Sequence, residues 1–296
     1  MRSIKIVVVG VVCLLPQLGI SQTRPAQELR LSAPCGILRI TAQAENAVRV
    51  RCGGAAANQE PELIFTTSRE STRLSVGSDG RSSWLQTGQI TAVVDKKTGD
   101  IRFLDAKGKL LTQEVPGGRT LTQASDSEAQ LKTAEVRFAL LSTEHLYGSG
   151  QFQDGYLDIA RLPRKLIQLN TQISIPFFLS SSGYGILWHN YGMTELNPPD
   201  HHLDLTEAAT GAGASVDVTT SSGTQRQVRR AKQFAGDLEI PAEGDYGIVL
   251  DSGRVMTDRY HLEIDDKVIF DLDNQWLPDG FVDFDAMRCY LLLKLW

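Results

Sequence analysis

The chain is poor in residues that carry redox and metal chemistry. Its 296 residues include 4 Cys and 5 His, and no CxxC or Cys/His spacing suited to a metal ion occurs. It also lacks a basic excess. Lys and Arg number 30 against 35 Asp and Glu, for a net charge of -5. No cationic face for a phosphate backbone is therefore expected, and no nucleic-acid partner. The densest basic run, Arg226 to Lys232, reads as a solvated face. After residue 15 there is no long apolar run, so no membrane span is expected. No segment sustains an apolar repeat at i, i+3, i+4 and i+7, which argues against a helical architecture. A hydrophobic content of 42% with 22% charged residues is that of a globular protein.

The first 21 residues have the layout of an export signal. Arg2 and Lys5 are the charged start, and Ile6 to Leu15 is the apolar core. A core of this length is too short to cross a bilayer of about 30 Å as a helix. Gly19 and Ser21 put small residues at the -3 and -1 positions of a cut before Gln22. Cys13 is preceded by Val11 and Val12, where a lipid-attachment motif wants a small residue. The expectation is an exported protein, periplasmic or extracellular, cleaved near Ser21. Export permits disulfides. Cys35 and Cys52 end two strand-like segments, which leaves a bridge between them open, with Cys289 as the odd cysteine.

What is abundant is strand pattern. Gly36 to Thr41 and Ala47 to Arg51 alternate apolar and polar residues, and Glu62 to Phe65, Thr72 to Val76 and Trp84 to Thr87 continue the alternation. A period of two buries one face of a sheet. Ile90 to Asp95 and Asp100 to Asp105 flank Lys96-Lys97-Thr98-Gly99, a hairpin in which Gly99 supplies the positive φ of a tight turn. Asp105 to Lys109 is a second turn. Many short strands with Gly-rich turns imply an all-β, antiparallel sandwich.

Several motifs fall in a recognisable order. They are Arg49-Val50-Arg51, then Thr98-Gly99-Asp100-Ile101-Arg102-Phe103, then Gly108-Lys109-Leu110-Leu111. Tyr147-Gly148-x-Gly150-Gln151 and Asn170 follow, then Ile175-Pro176-Phe177-Phe178-x-Ser180 and Gly183-Tyr184-Gly185-Ile186-Leu187-Trp188-x-Asn190. Over about residues 29–200 the chain resembles the N-terminal sandwich of family 31 glycoside hydrolases, the α-glucosidase and α-xylosidase family. The resemblance implies a galactose-mutarotase-like supersandwich over residues 22–206.

Residues 207–225 are small, polar and Gly-rich and read as a linker or exposed excursion. Residues 226–296 resemble part of a PA14 module. The carriers are Phe234 to Leu250, a hairpin over Tyr260 to Asp271, and Trp276-Leu277-Pro278. This segment reads as incomplete, because a closing strand is not apparent in the tail from Phe281 to Trp296, which ends in an apolar run. The expectation is a chain cut short before a catalytic barrel and prone to aggregate through that terminus.

The chemistry of the family is not carried by these residues. Retaining glycosidases use two carboxylates about 5–5.5 Å apart. The resemblance places the nucleophile in a W-x-D-M-x-E motif of the barrel, which does not occur here. No catalytic residue is therefore assigned. Ser149 lacks the glycine spacing of a nucleophile elbow, and Gly183-Tyr184-Gly185 lacks the third glycine of a dinucleotide loop. His201, His202 and Asp204 read as surface loop, since adjacent residues of an extended chain face opposite ways. Glu144 and His145, the pair an epimerase would need, are neighbours that diverge on a strand.

The PA14 resemblance implies a calcium-binding acidic pair, of which only Asp251 is matched because Ser252 replaces the second acid. That leaves Asp251 a weak metal candidate, and no cofactor is expected. By resemblance, the loop from Gln151 to Asn170 reaches the sugar pocket of the whole enzyme, which makes Phe152, Gln153 and Asn170 the candidate substrate-lining residues. For Phe152 a place in the core is the competing reading, and for Gln153 and Asn170 it is turn-backbone capping. The functional expectation is the N-terminal part of a retaining α-glycoside hydrolase whose partner is an oligosaccharide or α-glycoside. The alternative is a free-standing carbohydrate-binding or adhesion protein.

Overall fold

The computed structural model describes residues 2–9, 28–54, 64, 74–123, 132–152, 156–168, 173–200, 203–207, 215–220, 222–229, 233–251, 261–270 and 288–295. Every regular element among them is a strand, as the period-two alternation requires. The chain forms two compact units. One comprises Met1–Ser149, Lys165–Ile167 and Pro176–Leu196, the other Gly150–Arg164, Gln168–Ile175 and Asn197–Trp296.

In the first unit, β1 (Arg2–Val9) precedes a three-stranded antiparallel sheet of β2 (Glu28–Ala33), β3 (Gly36–Ala44) and β4 (Ala47–Gly53). Cys35 and Cys52 form a disulfide across this sheet, with Cα atoms 5.9 Å apart. The chain continues through β5 (Ser75–Ser78), β6 (Ser82–Gln86), β7 (Ile90–Asp95), β8 (Ile101–Asp105), β9 (Leu110–Gln123) and β10 (Lys132–Leu140). The β7–β8 hairpin turns at Gly99, with φ 78°, as read from the sequence. Asp95 holds this turn by accepting backbone N–H bonds from Lys97 and Thr98. These bonds keep its carboxyl below the usual range.

The two sheets face each other. Leu29, Leu38 and Ile40 from the three-stranded sheet pack with Leu85, Ala92, Val94 and Ile101, all 6% exposed or less. This is the dry layer of a sandwich, built from the alternate residues that the sequence offers. β9 bends where Gly117 adopts φ 69°. The bend brings Glu114 and Arg119 into a buried ion pair. Glu114 also accepts the Ile101 N–H, and Arg119 donates to the Gly99 carbonyl. Burial pushes the Glu114 carboxyl up, against the opposing pull of Arg119.

Next come β11 (Leu146–Gln151), β12 (Arg164–Leu166), β13 (Ile173–Ser180), β14 (Gly185–Leu187) and β15 (Thr194–Leu196). The large sheet runs β12-β15-β1-β10-β9-β8-β7-β6-β5, and β11-β13-β14 form a smaller one. The segment read as the start of an export signal thus forms a strand inside the large sheet. Along β13 a row of apolar residues stays uncovered, with Ile173 47%, Ile175 48%, Phe177 39% and Leu179 49% exposed.

The second unit contains short hairpins. β16 (Thr206–Glu207) pairs with β19 (Phe234–Ala235), and between them β17 (Ser215–Thr219) pairs with β18 (Gln225–Arg229). The stretch read as a linker therefore carries a hairpin, which turns at Gly223 with φ 80°. β20 (Gly244–Asp251), β21 (Leu262–Ile264), β22 (Lys267–Phe270) and β23 (Arg288–Leu295) complete the order. The expected hairpin near residue 265 is present as β21–β22, with Asp265 and Asp266 both at positive φ, the geometry of a two-residue hairpin turn. The apolar tail is not a loose terminus. As β23 it pairs with β20 over eight positions, Gly244↔Leu295 to Asp251↔Arg288, and so satisfies a strand edge that composition alone left open.

Candidate functional site

The loop between β11 and β13 is launched by three successive residues at positive φ: Gly148 at 111°, Ser149 at 67° and Gly150 at 104°. A Cβ at Gly148 would meet the Phe177 carbonyl oxygen at 2.5 Å, and one at Gly150 would meet that of Ile173 at 2.0 Å. The two glycines are thus demanded by close backbone approach as well as by φ. Ser149 is fully buried, which suits a structural hydroxyl and not a nucleophile.

Phe152 follows at once and is half-buried. The Arg164 guanidinium lies over its ring, 4.1 Å from the centroid. Arg164 itself is buried, so the cation meets the ring in a low-dielectric setting, where such a contact is worth about 2 kcal/mol. The intervening chain packs on itself through Ile159, Ala160 and Leu162, all buried. Asn197, at φ 48°, donates from Nδ2 to the carbonyls of Leu162 at 3.0 Å and Ile159 at 3.3 Å. Asp158 Oδ1 accepts the Ala160 N–H at 3.0 Å. A side-chain amide and a carboxylate thus supply the backbone partners that a loop without a ladder lacks.

Of the candidate lining residues, Phe152 is placed in this loop, while Gln153 and Asn170 lie outside the described residues. Phe152 is neither simple core nor free. One face is occupied by Arg164. Sequence reasoning missed Arg164 and Asn197, and the only available signal was the charge in Arg161-Leu162-Pro163-Arg164-Lys165.

A second polar cluster ties the foot of β11 to the β13–β14 turn. Glu144 is buried. It accepts from the Ser180 hydroxyl and from the Leu141 N–H. The Tyr184 phenol sits beside them, and burial, with Glu144 adding, raises its pKa to about 12. His145 is exposed. Its backbone N–H donates to Ser181 Oγ at 3.0 Å. Glu144 and His145 therefore diverge, one into the interior and one to solvent, and cannot act together on a sugar.

Two separated motifs also meet. Arg49 Nη2 lies 2.6 Å from His189 Nδ1, and His189 Nε2 lies 3.2 Å from the Tyr191 hydroxyl. Because a guanidinium can only donate, Nδ1 is the acceptor of this contact. This links Arg49-Val50-Arg51 to the block ending at Asn190.

Asp251 closes β20, registered against Arg288. Ser252, Gly253, His201 and His202 lie outside the described residues. Among the described residues no group of three or more His, Cys, Asp or Glu is gathered to hold a metal ion, and no helix is long and apolar enough to cross a membrane.

Comparison with known proteins converges on one family. Residues 37–197 match the glycosyl hydrolase 31 N-terminal galactose mutarotase-like domain. An uncharacterised family 31 glucosidase from Pseudescherichia vulneris is 31% identical over 195 residues, covering 59% of this chain and 36% of that protein. An α-xylosidase from Saccharolobus solfataricus is 30% identical over 217 residues, covering 69% of this chain and 29% of its own length. The crystal structure of the family 31 α-xylosidase from Xanthomonas citri superposes with a TM-score of 0.65 at 21% identity, over 92% of this chain and 32% of that one. This last likeness is one of fold. The chain spans about a third of the length of the relatives it matches.

Proposed function

The chain belongs to glycosyl hydrolase family 31 through its N-terminal galactose mutarotase-like domain, and on that premise we propose that it serves as the non-catalytic sandwich of a retaining α-glycoside hydrolase of the α-xylosidase or α-glucosidase type. The observation that carries this reading is the self-braced loop from Gln151 to Leu166. There a buried Arg164 fixes Phe152 directly after β11, the strand that bears the Tyr147-Gly148-x-Gly150-Gln151 motif. An aromatic ring held in place, flanked by Gln153, is suited to lie against the apolar face of a sugar while polar neighbours take its hydroxyls. In this reading Phe152 lines the pocket of the complete enzyme, with Gln153 and Asn170 as hydrogen-bonding partners. Hydrolysis itself falls to two carboxylates outside this sequence, since no W-x-D-M-x-E motif is present.

The uncovered apolar row of β13 supports the same assignment. Four such residues in line form an exposed apolar row, which suits packing against a further domain. In this reading residues 226–296 are part of a PA14-like module that adds carbohydrate contact, and no cofactor takes part. The first 21 residues direct export and are removed near Ser21.

The test is a melting-temperature titration of the purified chain with xylo- and gluco-oligosaccharides. A lining surface that is only part of a pocket gives no Phe152-dependent shift up to millimolar sugar. A saturable shift that vanishes in Phe152→Ala would instead favour a free-standing binding protein.

A further inference from the structure

β2, β3 and β4 carry Arg30, Arg39, Arg49 and Arg51, no lysine, and Glu28 as their one acidic residue, in a chain whose net charge is -5. Leu29, Leu38, Ile40 and Val50 face the core, so the alternate positions, which hold all four arginines, form the outer face of this sheet. The pairing lines three of them up. Arg30 is registered directly against Arg39, and Arg39 directly against Arg51. Neighbouring strands stand about 4.7–4.9 Å apart, so three guanidinium side chains rise from one row roughly 10 Å long. The next row holds Glu28, Thr41 and Arg49. No basic run in the sequence announces this face, because it is assembled from three strands.

Such a row costs stability, because like charges directly opposed in a sheet repel. Glu28 offsets little of that cost. Its carboxylate approaches Arg39 Nε at 3.6 Å, too far for a hydrogen bond. That Nε is buried with no hydrogen-bond partner among the described residues. Arg30 is exposed, and Arg39 and Arg51 are half-buried. All three are arginine, whose planar fork stays charged and meets a carboxylate with two parallel hydrogen bonds, where lysine would offer a point charge. Forks held side by side against their own repulsion suit a ligand that brings repeated negative charge.

We propose that the Arg30–Arg39–Arg51 row is a binding site for an acidic glycan, a chain of uronic acid residues whose carboxylates are met by neighbouring guanidiniums. That the polyanion is a glycan rests on the reading of this chain as the sandwich of a glycoside hydrolase. The site uses none of the residues of the Gln151–Leu166 loop, and it holds the polymer without taking part in bond cleavage. Binding also relieves the repulsion along the row, so the ligand stabilises the sheet that carries it.

The test is calorimetric titration of the full chain with oligogalacturonate. The methyl-esterified oligomer, which keeps the sugars and loses the charge, is the control. Inorganic phosphate and a DNA duplex are the competing anions, all at one ionic strength. Oligogalacturonate binds saturably, the ester does not, and neither phosphate nor DNA displaces it. Arg30→Gln weakens binding about tenfold and Arg30→Gln/Arg39→Gln about a hundredfold. The melting temperature of ligand-free Arg30→Gln is unchanged or higher, since a like-charged neighbour has gone. A structural role for Arg30 would instead lower that temperature and leave the affinity unaltered, which overturns the proposal. So does equal binding of the ester. Displacement by phosphate would assign the row to a free oxyanion, and displacement by DNA to polyanions in general, and either contradicts the proposal. Absence of oligogalacturonate binding removes this site and leaves the sandwich reading standing, because that reading is tested by neutral oligosaccharides and by aryl glycoside turnover, in which the arginine row has no part.

Discussion

The Arg164 guanidinium caps the Phe152 ring at 4.1 Å from its centroid. The pair closes a loop that has no ladder of its own. Arg164→Met keeps the length of the side chain and removes the cation, and Phe152→Leu keeps an apolar group and removes the ring. A double-mutant cycle by denaturant unfolding should give a coupling energy of about 1–2 kcal/mol. A coupling within error of zero would show that the two merely adjoin.

The Cys35–Cys52 bridge closes a segment with a sequence separation of 17. Loop-closure entropy for a loop of this size gives a stabilisation of about 3 kcal/mol. Reduction, or the Cys35→Ala/Cys52→Ala double variant, should lower the melting temperature accordingly. An unchanged melting temperature on reduction would deny the bridge.

Gly148 and Gly150 face backbone carbonyl oxygens that an added Cβ would meet at 2.5 and 2.0 Å. Gly108 has a similar φ of +80° but open space around it. Gly148→Ala and Gly150→Ala should therefore each cost about 3 kcal/mol or more, and Gly108→Ala only about 1 kcal/mol. Equal costs at the three sites would mean that φ alone, and not close packing of β11 on β13, selects these glycines.

Much of this was legible in the sequence. Strand alternation over Gly36 to Thr41 and Ala47 to Arg51 and the Gly99 hairpin are local signals that a period of two or a turn residue declares, and the structure carries them as β3, β4 and the β7–β8 turn. The Arg49 to His189 contact joins two motifs that stand far apart in the sequence, where nothing marks them as partners. What was not legible depended on partners far along the chain. β23 is a strand because β20 offers it an edge, and Arg2–Val9 is a strand because β10 and β15 leave a place for one. Arg164 looks like one more solvated charge in a basic stretch, and only the position of Phe152 gives it a role.

Tyr184 gives a pH signature. Its phenol has a folded pKa of about 12 against an ordinary 10.0, so the neutral form is favoured by folding. That stabilisation is complete below pH 10 and is lost as pH rises through 12, because the unfolded chain ionises first. Allowing for the partial solvent access of the ring, the loss is about 2 kcal/mol. Tyr184→Phe should be less steep in stability between pH 10 and 12 than the native chain. A native chain and variant with parallel pH profiles in that range would contradict the burial of this phenol.

The most direct measurement of the central claim is turnover of aryl α-xyloside and α-glucoside by the purified chain, followed to high protein concentration. The account predicts no release above the buffer blank, because the proposed reading gives this chain the role of the family's N-terminal domain and no W-x-D-M-x-E motif is present. Release that scales with protein and persists through purification would contradict it, and would place a catalytic pair within these 296 residues.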